Sequence, residues 1–515
     1  MMTRHLTKLI MQKAGVGIVL ILLLCSFGSS PFADEVQTAS QPVKAVPREF
    51  ITHHRLDIGK EPLNYTAIAG ETIVQDRDGT PEASIFSIAY IKEGVDRPEN
   101  RPITFFFNGG PGSSSVWLHL GAFGPRRVTL SSDPVSPGAP PYQLADNPNT
   151  LLRYSDLVFV DPIGSGYSRA LGKNQDKDYW GVDEDSAILA KYIRTYLTAK
   201  KRWNSPKYLA GESYGTLRIG VLIRDLELKT LDSVSFNGVI LLSVALDVRT
   251  FMSGGPGNEL PYVIDLPTYA ATAYYHHVLP QPEADLDAFL RRAQDFASSE
   301  YVVALFKGDA LPADQQETVA RKLHQFTGLS VEYLQRCHLK IDQYRFAKEL
   351  LRSRGLVMAE QDTRFTGKDP DEVGEEVQND PLIFGIAGPF SATINNYLAT
   401  ELDVKMEQPY TTFSSEAGMS WKRAGEGKGV FDGFLNTTPY LAVVAATNRD
   451  FRIFVASGLH DLTTAYYGTQ YVFDHSGINK EQVTLKNYTG GHMMYLYLPS
   501  LQQLSSDIGT FMKAK

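Results

Sequence analysis

The chain has 515 residues and a formal net charge of −8 at pH 7. Its hydrophobic content of 43% and its charged content of 21% are ordinary for a soluble globular protein. The acidic balance excludes the basic footprint of a nucleic-acid-binding protein or of a protein that docks on an anionic membrane. The length allows one large domain with an insertion, or two to three domains.

The N-terminus has the pattern of a secretory signal. The basic residues Arg4, Lys8 and Lys13 precede an apolar stretch at residues 16–27, and small residues follow it. That stretch is short for a membrane-spanning helix. We therefore predict that residues 1–33 are a signal peptide and that the mature protein is secreted into the periplasm, with an uncleaved anchor as the alternative.

The segment after the signal, residues 34–48, is polar with scattered proline and is predicted to be a linker. Only two cysteines occur, Cys25 and Cys337. Removal of the signal would leave Cys337 alone, so no intrachain disulfide is expected and the hydrophobic core must supply the stability. Cys337 is interpreted as a packing residue rather than a nucleophile.

Short apolar runs predict a central β-sheet in the first half of the chain. Alternating residues at 49–92 indicate antiparallel strands. Continuous apolar runs indicate buried, mainly parallel strands, and these are residues 103–107, 157–160, 207–210 and 238–244. Residues 183–197 between them have helical spacing. Strands that alternate with helices predict the α/β class.

A glycine-rich turn, Asn108-Gly109-Gly110-Pro111-Gly112, follows the first of these buried strands. Its glycines leave room for backbone N–H groups to approach a ligand. An oxyanion hole in α/β hydrolases combines the N–H after the nucleophile with one from an early strand-to-helix loop, which predicts Gly110 and Tyr214 for that role. A phosphate-binding loop is excluded because no Gly-Lys-Ser/Thr follows. A plain glycine turn stays open as the alternative.

The most informative motif is Gly211-Glu212-Ser213-Tyr214-Gly215. It lies between a strand-like run and a helix-compatible run at 216–228, which is the strand–turn–helix order of a nucleophile elbow. The serine of such a turn has a strained backbone, and the glycines avoid clashes beside it. The motif predicts that Ser213 is a nucleophile at a helix N-terminus. A surface serine in a glycine loop is the alternative.

The chain changes character after residue 250, where proline, tyrosine and charged helical stretches dominate. We predict a mostly helical insertion that caps the active site, where it would exclude water, with an unrelated stability domain as the alternative. A predicted helix at 438–446 returns the chain to the sheet. The predicted organisation is therefore a signal peptide (1–33), a linker (34–48), the first part of the core (49–249), the insertion (250–430) and the last part of the core (431–515).

Asp461 and His492 each follow a predicted strand near the C-terminus, at residues 451–456 and 483–488. Open α/β sheets place their sites at the carboxyl ends of the strands. We therefore predict that Asp461 orients His492, and that His492 takes the proton of Ser213 and delivers it to the leaving group. A helix-capping aspartate and a packed histidine are the structural alternatives.

The other histidines are weaker candidates. His460 and His475 are rival bases, but neither follows a strand and a glycine pair as His492 does. The adjacent pairs His53-His54 and His276-His277 point apart on a helix or strand and do not converge on a metal. The sequence predicts no metal and no cofactor.

Taken together, these motifs resemble the serine carboxypeptidase family of α/β hydrolases. The resemblance covers residues 100–245 and 430–515 and rests on the segments Asn108-Gly109-Gly110-Pro111-Gly112, Asp161-Pro162-Ile163-Gly164-Ser165-Gly166-Tyr167-Ser168, Gly211-Glu212-Ser213-Tyr214-Gly215 and Gly490-Gly491-His492-Met493. It implies an α/β-hydrolase fold with a mainly parallel central sheet and a mostly helical cap. It also implies a Ser-Asp-His triad, formed by Ser213, Asp461 and His492, that works through an acyl-enzyme.

The resemblance implies that the substrates are peptides with a free C-terminus, shortened from that end. It also implies that Asn108 and Glu212 hold the terminal carboxylate. Two carboxyl groups form a hydrogen bond only if one keeps its proton, so Glu212 must be protonated and an acidic pH preference is expected. An esterase or acyltransferase on the same triad, or a catalytically silent binding protein of this fold, remain alternatives.

Several departures from the family pattern indicate a divergent bacterial branch. Ala122 stands where the family usually has a second glutamate, fourteen positions after Asn108. Ser113 replaces a cysteine that forms a disulfide in eukaryotic members, and Phe106 replaces a tryptophan. The turn before Asp461 lacks its first aspartate. The acidic group that recognises the substrate is therefore expected to be smaller than usual.

Overall fold

The computed structural model describes residues 46–58, 61–130, 138–251, 257–422 and 434–513. These residues belong to a compact unit, Ala45–Lys515. The predicted signal peptide and most of the predicted linker lie outside the described residues.

The strands confirm the predicted sheet. In the described residues they are β1 (Glu49–Ile58), β2 (Glu61–Gln75), β3 (Pro81–Lys92), β4 (Ile103–Phe107), β5 (Arg126–Val128), β6 (Leu144–Asp146), β7 (Asp156–Val160), β8 (Arg169–Ala170), β9 (Lys207–Ser213), β10 (Gly238–Val244), β11 (Val357–Met358), β12 (Thr366–Gly367), β13 (Arg452–Gly458) and β14 (Val483–Tyr488).

The central sheet has ten strands, in the order β1-β2-β3-β7-β4-β9-β10-β13-β14, with β8 paired to β3. The pairs from β1 to β7 are antiparallel, and those from β7 through β4, β9, β10 and β13 to β14 are parallel. The carboxyl ends of β4, β9, β13 and β14 therefore meet at one edge. The segments that carry Asn108, Ser213, Asp461 and His492 leave the sheet there.

The helices of the described residues are α1 (Val182–Ala199), α2 (Tyr214–Ile223), α3 (Leu260–Tyr275), α4 (Leu286–Phe296), α5 (Val302–Lys307), α6 (Ala313–Thr327), α7 (Val331–Arg336), α8 (Gln343–Glu349), α9 (Pro381–Thr400), α10 (Ser415–Met419), α11 (Thr438–Thr447), α12 (Tyr466–Asp474) and α13 (Leu498–Lys513). Helix α2 continues as a π-helical turn, Arg224–Leu228. Among the described residues, no helix has both the length and the apolarity needed to span a bilayer.

The sheet is buried on both faces, which explains its continuous apolar runs. Successive strand residues point to opposite faces: Phe106 joins a core with α9 and α13, whereas Phe105 joins a core with α1, α2 and α11. Helices α3 to α8, between β10 and β13, contribute to a third cluster, which also includes Leu462, the residue after Asp461. The insertion thus packs directly against a loop at the active edge of the sheet.

Candidate active site

The backbone at Ser213 has the geometry of a nucleophile elbow. Ser213 ends β9 with φ 58° and ψ −130°, a strained combination for a residue with a side chain. The helix α2 begins at the next residue. A Cβ on Gly215 would lie 2.4 Å from the carbonyl oxygen of Phe107, so this tight turn admits only glycine there. The result is a half-buried serine at a helix N-terminus.

The loop after β4 lies against this elbow. A Cβ on Gly109 would lie 2.7 Å from the backbone nitrogen of Tyr214 and 2.8 Å from Cβ of Ser213. Gly110 follows with φ 101° and is exposed to solvent. The loop therefore brings the backbone around Gly110 beside Tyr214, which is the arrangement that an oxyanion hole requires.

The structure joins Asp461 to His492 after β13 and β14. Nδ1 of His492 lies 2.8 Å from Oδ2 of Asp461, and both side chains are buried. Oδ1 of Asp461 accepts the backbone N–H groups of Thr463 and Thr464. The Thr464 hydroxyl donates to Oδ2 at 2.7 Å. This carboxylate is fixed from several sides, so it holds the imidazole in one orientation with Nε2 free for chemistry.

His492 is also anchored beside the serine. The Ser243 hydroxyl, near the end of β10, donates to the His492 carbonyl at 2.6 Å, and its neighbour Val244 pairs with Ser213. Within the described residues, no hydrogen bond joins the Ser213 hydroxyl to His492. Such contacts are often long before a substrate binds. Ser243 and Val244, consecutive residues of β10, link the backbone of His492 to that of Ser213.

The electrostatics favour His492 over its rivals. Burial opposes its charged form, but the Asp461 carboxylate outweighs burial and, with Glu212, raises the pKa of His492 above its ordinary value. Burial lowers the pKa of His460 to about 3, so that ring is neutral and poorly basic. His475 ends α12, where it stacks on Tyr471 and contacts the Tyr471 carbonyl. Of the described histidines at this edge, His492 alone has both a carboxylate partner and a raised pKa.

A short segment of the insertion, residues 360–363, links the two loops that carry Asp461 and His492. The Gln361 carbonyl accepts the His492 N–H at 2.5 Å, and the N–H of Thr363 donates to the His460 carbonyl at 3.0 Å. Asp362 Oδ2 accepts the N–H of Gly491 at 2.9 Å. Sequence analysis missed this segment because its contacts run through the backbone to residues about a hundred positions away.

Asp362 is itself held by a buried ion pair with Arg364, at 2.7 Å. Removing one partner of such a pair leaves an uncompensated charge, so Asp362→Ala should lower the free energy of unfolding by about 3–5 kcal/mol. Urea denaturation measures the change. The control Asp57→Ala removes the exposed partner of Arg55 and should cost less than about 1 kcal/mol. Similar losses in both variants would contradict the assignment of a structural role to the Asp362–Arg364 pair.

Asn108 and Glu212 are buried next to the elbow. The Asn108 carbonyl accepts a hydrogen bond from Arg218, which is itself paired with Asp185. Oδ1 of Asn108 accepts the N–H of Leu118 at 3.0 Å, so the NH2 end of the same side chain points away from Leu118. Among the described residues, neither Nδ2 of Asn108 nor Oε2 of Glu212 has a hydrogen-bond partner of ordinary geometry. Both groups interact with each other and with Tyr495, so they belong to a buried polar cluster beside the nucleophile.

The environment of Glu212 favours its neutral form. Burial raises the pKa of Glu212 to about 7, although His492, Tyr495 and Asn108 each act to lower it. At pH 6 the group is therefore mostly protonated and has a proton to donate. This is the state in which it can hydrogen-bond a carboxylate without repulsion.

Ala122 and Cys337 are two further positions that the sequence singled out. Ala122 is fully buried and brings no polar group. Cys337 is a half-buried free thiol whose pKa burial raises to about 11, which makes it a poor nucleophile at neutral pH. The backbone contacts of Asp461 had a sequence signal, because an aspartate whose side chain accepts N–H groups two and three residues ahead is typical of a cap.

The family model described as serine carboxypeptidase matches residues 82–364, which is more than half of the chain. The chain belongs to the serine carboxypeptidase family. The match confirms the resemblance and extends it into the insertion, where the sequence motifs did not reach. Membership of this family, together with the fold, supports a carboxypeptidase-like hydrolase.

Individual relatives are distant. The chain is 33% identical to serine carboxypeptidase-like 44 of Arabidopsis thaliana over 131 residues, 24% of each chain. It is 26% identical to the pheromone-processing carboxypeptidase KEX1 of Yarrowia lipolytica over 212 residues, 39% of this chain and 30% of that one. The matched stretches thus span less than a third of these two relatives.

The similarity in fold covers a larger share of the chain than the similarity in sequence. The structure of the prohormone-processing carboxypeptidase Kex1 of Saccharomyces cerevisiae superposes with a TM-score of 0.54 at 14% identity, covering 87% of this chain and 91% of that chain. This likeness confirms the α/β-hydrolase fold.

Proposed function

We propose that this protein is a serine carboxypeptidase that releases C-terminal residues from peptides. The observation that carries the proposal is the pair of buried polar groups, the Asn108 amide and the Glu212 carboxyl, beside the strained Ser213. A neutral glutamic acid and an amide N–H suit a terminal carboxylate, and an apolar ester needs neither. The family membership supports the same activity.

In the proposed reaction Oγ of Ser213 attacks the carbonyl carbon of the last peptide bond. His492 takes the hydroxyl proton on Nε2 while Asp461 stabilises the imidazolium. The backbone N–H groups of Gly110 and Tyr214 bind the oxyanion. His492 then gives the proton to the leaving amine, and the acyl group stays on Ser213.

Water completes the reaction. It attacks the acyl-enzyme as His492 accepts one of its protons, and the proton returns to Ser213 when the shortened peptide leaves. No group outside the chain, the peptide and water takes part in this sequence of steps.

A free C-terminus is expected to decide turnover. Converting the terminal carboxylate of a peptide to an amide removes the charge that Asn108 and Glu212 would bind, so kcat/KM should fall by about 100-fold or more. Release of the amino acid from the free peptide and of the amino-acid amide from the matched amidated peptide measures this. An esterase would hydrolyse a neutral ester well and would not discriminate between the peptides, and that outcome would contradict the proposal.

The pH profile is expected to be bell-shaped for peptides with a free C-terminus. His492 must be neutral, so kcat/KM should fall as the pH drops below its raised pKa. Glu212 must be protonated, so kcat/KM should fall about tenfold per pH unit above a pKa of about 7. The expected maximum is thus close to neutral, whereas the sequence alone suggested an acidic one.

Glu212→Gln separates the acidic limb of the pH profile, assigned to His492, from the alkaline limb, assigned to Glu212. The amide keeps a donor at every pH, so the alkaline fall in kcat/KM should disappear while the acidic fall remains. Glu227→Gln is a matched control, because burial also raises the pKa of Glu227 to about 7 but that residue lies beyond α2 in the turn Arg224–Leu228. An alkaline limb that persists in Glu212→Gln would assign the limb to another group.

A further inference from the structure

A third buried polar group lies against the Asn108–Glu212 pair. The hydroxyl of Tyr495 is fully buried and interacts with both Glu212 and Asn108, although within the described residues these contacts fall outside ordinary hydrogen-bond geometry. Buried polar groups need such partners, because leaving them without one is costly. The Tyr495 hydroxyl, the Glu212 carboxyl and the Asn108 amide thus form one buried polar cluster.

The position of Tyr495 is fixed by its surroundings. Arg127 donates from Nε to the Gly121 carbonyl at 3.0 Å and from Nη2 to the Tyr495 carbonyl at 3.3 Å. A Cβ on Gly121 would lie 2.9 Å from Cε2 of the Tyr495 ring. The Tyr495 ring therefore packs against the backbone of Gly121, where there is no side chain. Arg127 joins the segment of Gly121 to the segment of Tyr495.

We propose that Tyr495 is a positioning residue of the carboxylate-binding site, whose hydroxyl orients the Glu212 carboxyl and the Asn108 amide toward the terminal carboxylate of the substrate. This inference rests on the proposed carboxypeptidase function. The hydroxyl acts through Glu212 and Asn108, with which it interacts, rather than on the substrate. The groups that act on Glu212 are His492, Asp461, Tyr495 and Asn108, and Tyr495 is the hydroxyl among them.

Tyr495→Phe tests the proposal, because it keeps the ring on Gly121 and removes only the hydroxyl oxygen. KM for a peptide with a free C-terminus should rise about tenfold, with kcat changed less than about twofold. Hydrolysis of a neutral ester should be unchanged. The alkaline limb for the peptide should also move to higher pH, since the Tyr495 hydroxyl lowers the pKa of Glu212 and its loss lets that pKa rise.

Tyr497→Phe is the matched control, because Tyr497 lies two residues away under the Arg364 guanidinium and keeps that ring contact without its hydroxyl. It should change none of these values. Competitive inhibition of ester hydrolysis by a free amino acid, compared with the same amino acid as its amide, gives a second measurement of carboxylate binding that does not depend on peptide turnover. Tyr495→Phe should weaken inhibition by the free amino acid alone.

The outcomes are distinct. Equal losses of kcat/KM for peptide and ester in Tyr495→Phe, or an alkaline limb that does not move, would overturn the role of Tyr495. The proposed function would still stand if the wild-type protein prefers the free C-terminus. A wild-type protein that does not discriminate between free and amidated peptides would overturn both.

Discussion

Replacing Ser213 with alanine is expected to lower kcat by about 10⁶-fold, the loss typical of removing a catalytic serine. The physical reason is local: Ser213 Oγ is the atom that the strained turn at φ 58° presents above α2. The fold should survive, since the change removes one oxygen from a half-buried side chain. Amino-acid release from a peptide with a free C-terminus measures the loss.

A fluorophosphonate probe gives a readout that is independent of the substrate. The wild-type protein should gain one covalent adduct on Ser213, located by peptide mass analysis, and Ser213→Ala should gain none. Ser299→Ala, a change at an exposed position after α4, is the matched control and should label normally. An unlabelled wild-type protein would favour the silent binding protein over an enzyme.

Replacing Asp461 with asparagine is expected to lower kcat by about 10⁴-fold. The amide can still accept the N–H groups of Thr463 and Thr464 at Oδ1, which keeps the loop in place. Its NH2 group would then face Nδ1 of His492, which forces the wrong tautomer and puts the proton on Nε2. That nitrogen could no longer accept the proton of the serine.

The same variant should move the acidic limb of the pH profile. The Asp461 carboxylate raises the pKa of His492, so its neutral replacement should shift that limb to lower pH. Asp474→Asn is the control, because Asp474 is half-exposed beside Lys480 at the end of α12 and should leave kcat unchanged. A loss below about tenfold in Asp461→Asn would mean that another residue orients His492.

The sheet and its loops could be predicted because their signals are local. The run at 103–107 became β4, the run at 238–244 became β10, and the spacing at 183–197 became α1. A continuous apolar run followed by a glycine turn indicates a buried strand that ends in a tight turn, and about a dozen residues contain the whole signal. The candidate helix after Ser213 was also right, although α2 begins at Tyr214 and continues as a π-helical turn.

The contacts that hold the site could not be predicted in this way. Ser243 meets the backbone of His492 across 249 positions, and Gly491 meets Asp362 across 129. Neither contact leaves a pattern in the sequence, because one partner is a backbone group that every residue has. The polar role of Tyr495 was equally hidden, since a tyrosine among apolar residues is typical of a core.

The sequence by itself determined the candidate residues for the chemistry, because the turns after β4, β9, β13 and β14 consist of short, local motifs. Only the tertiary structure decided how these residues are tuned. Burial sets the pKa of Glu212 near 7, and the insertion segment 360–363 ties the loops of Asp461 and His492 together. Burial and long-range hydrogen bonds exist only once distant segments have packed, so no local pattern encodes them.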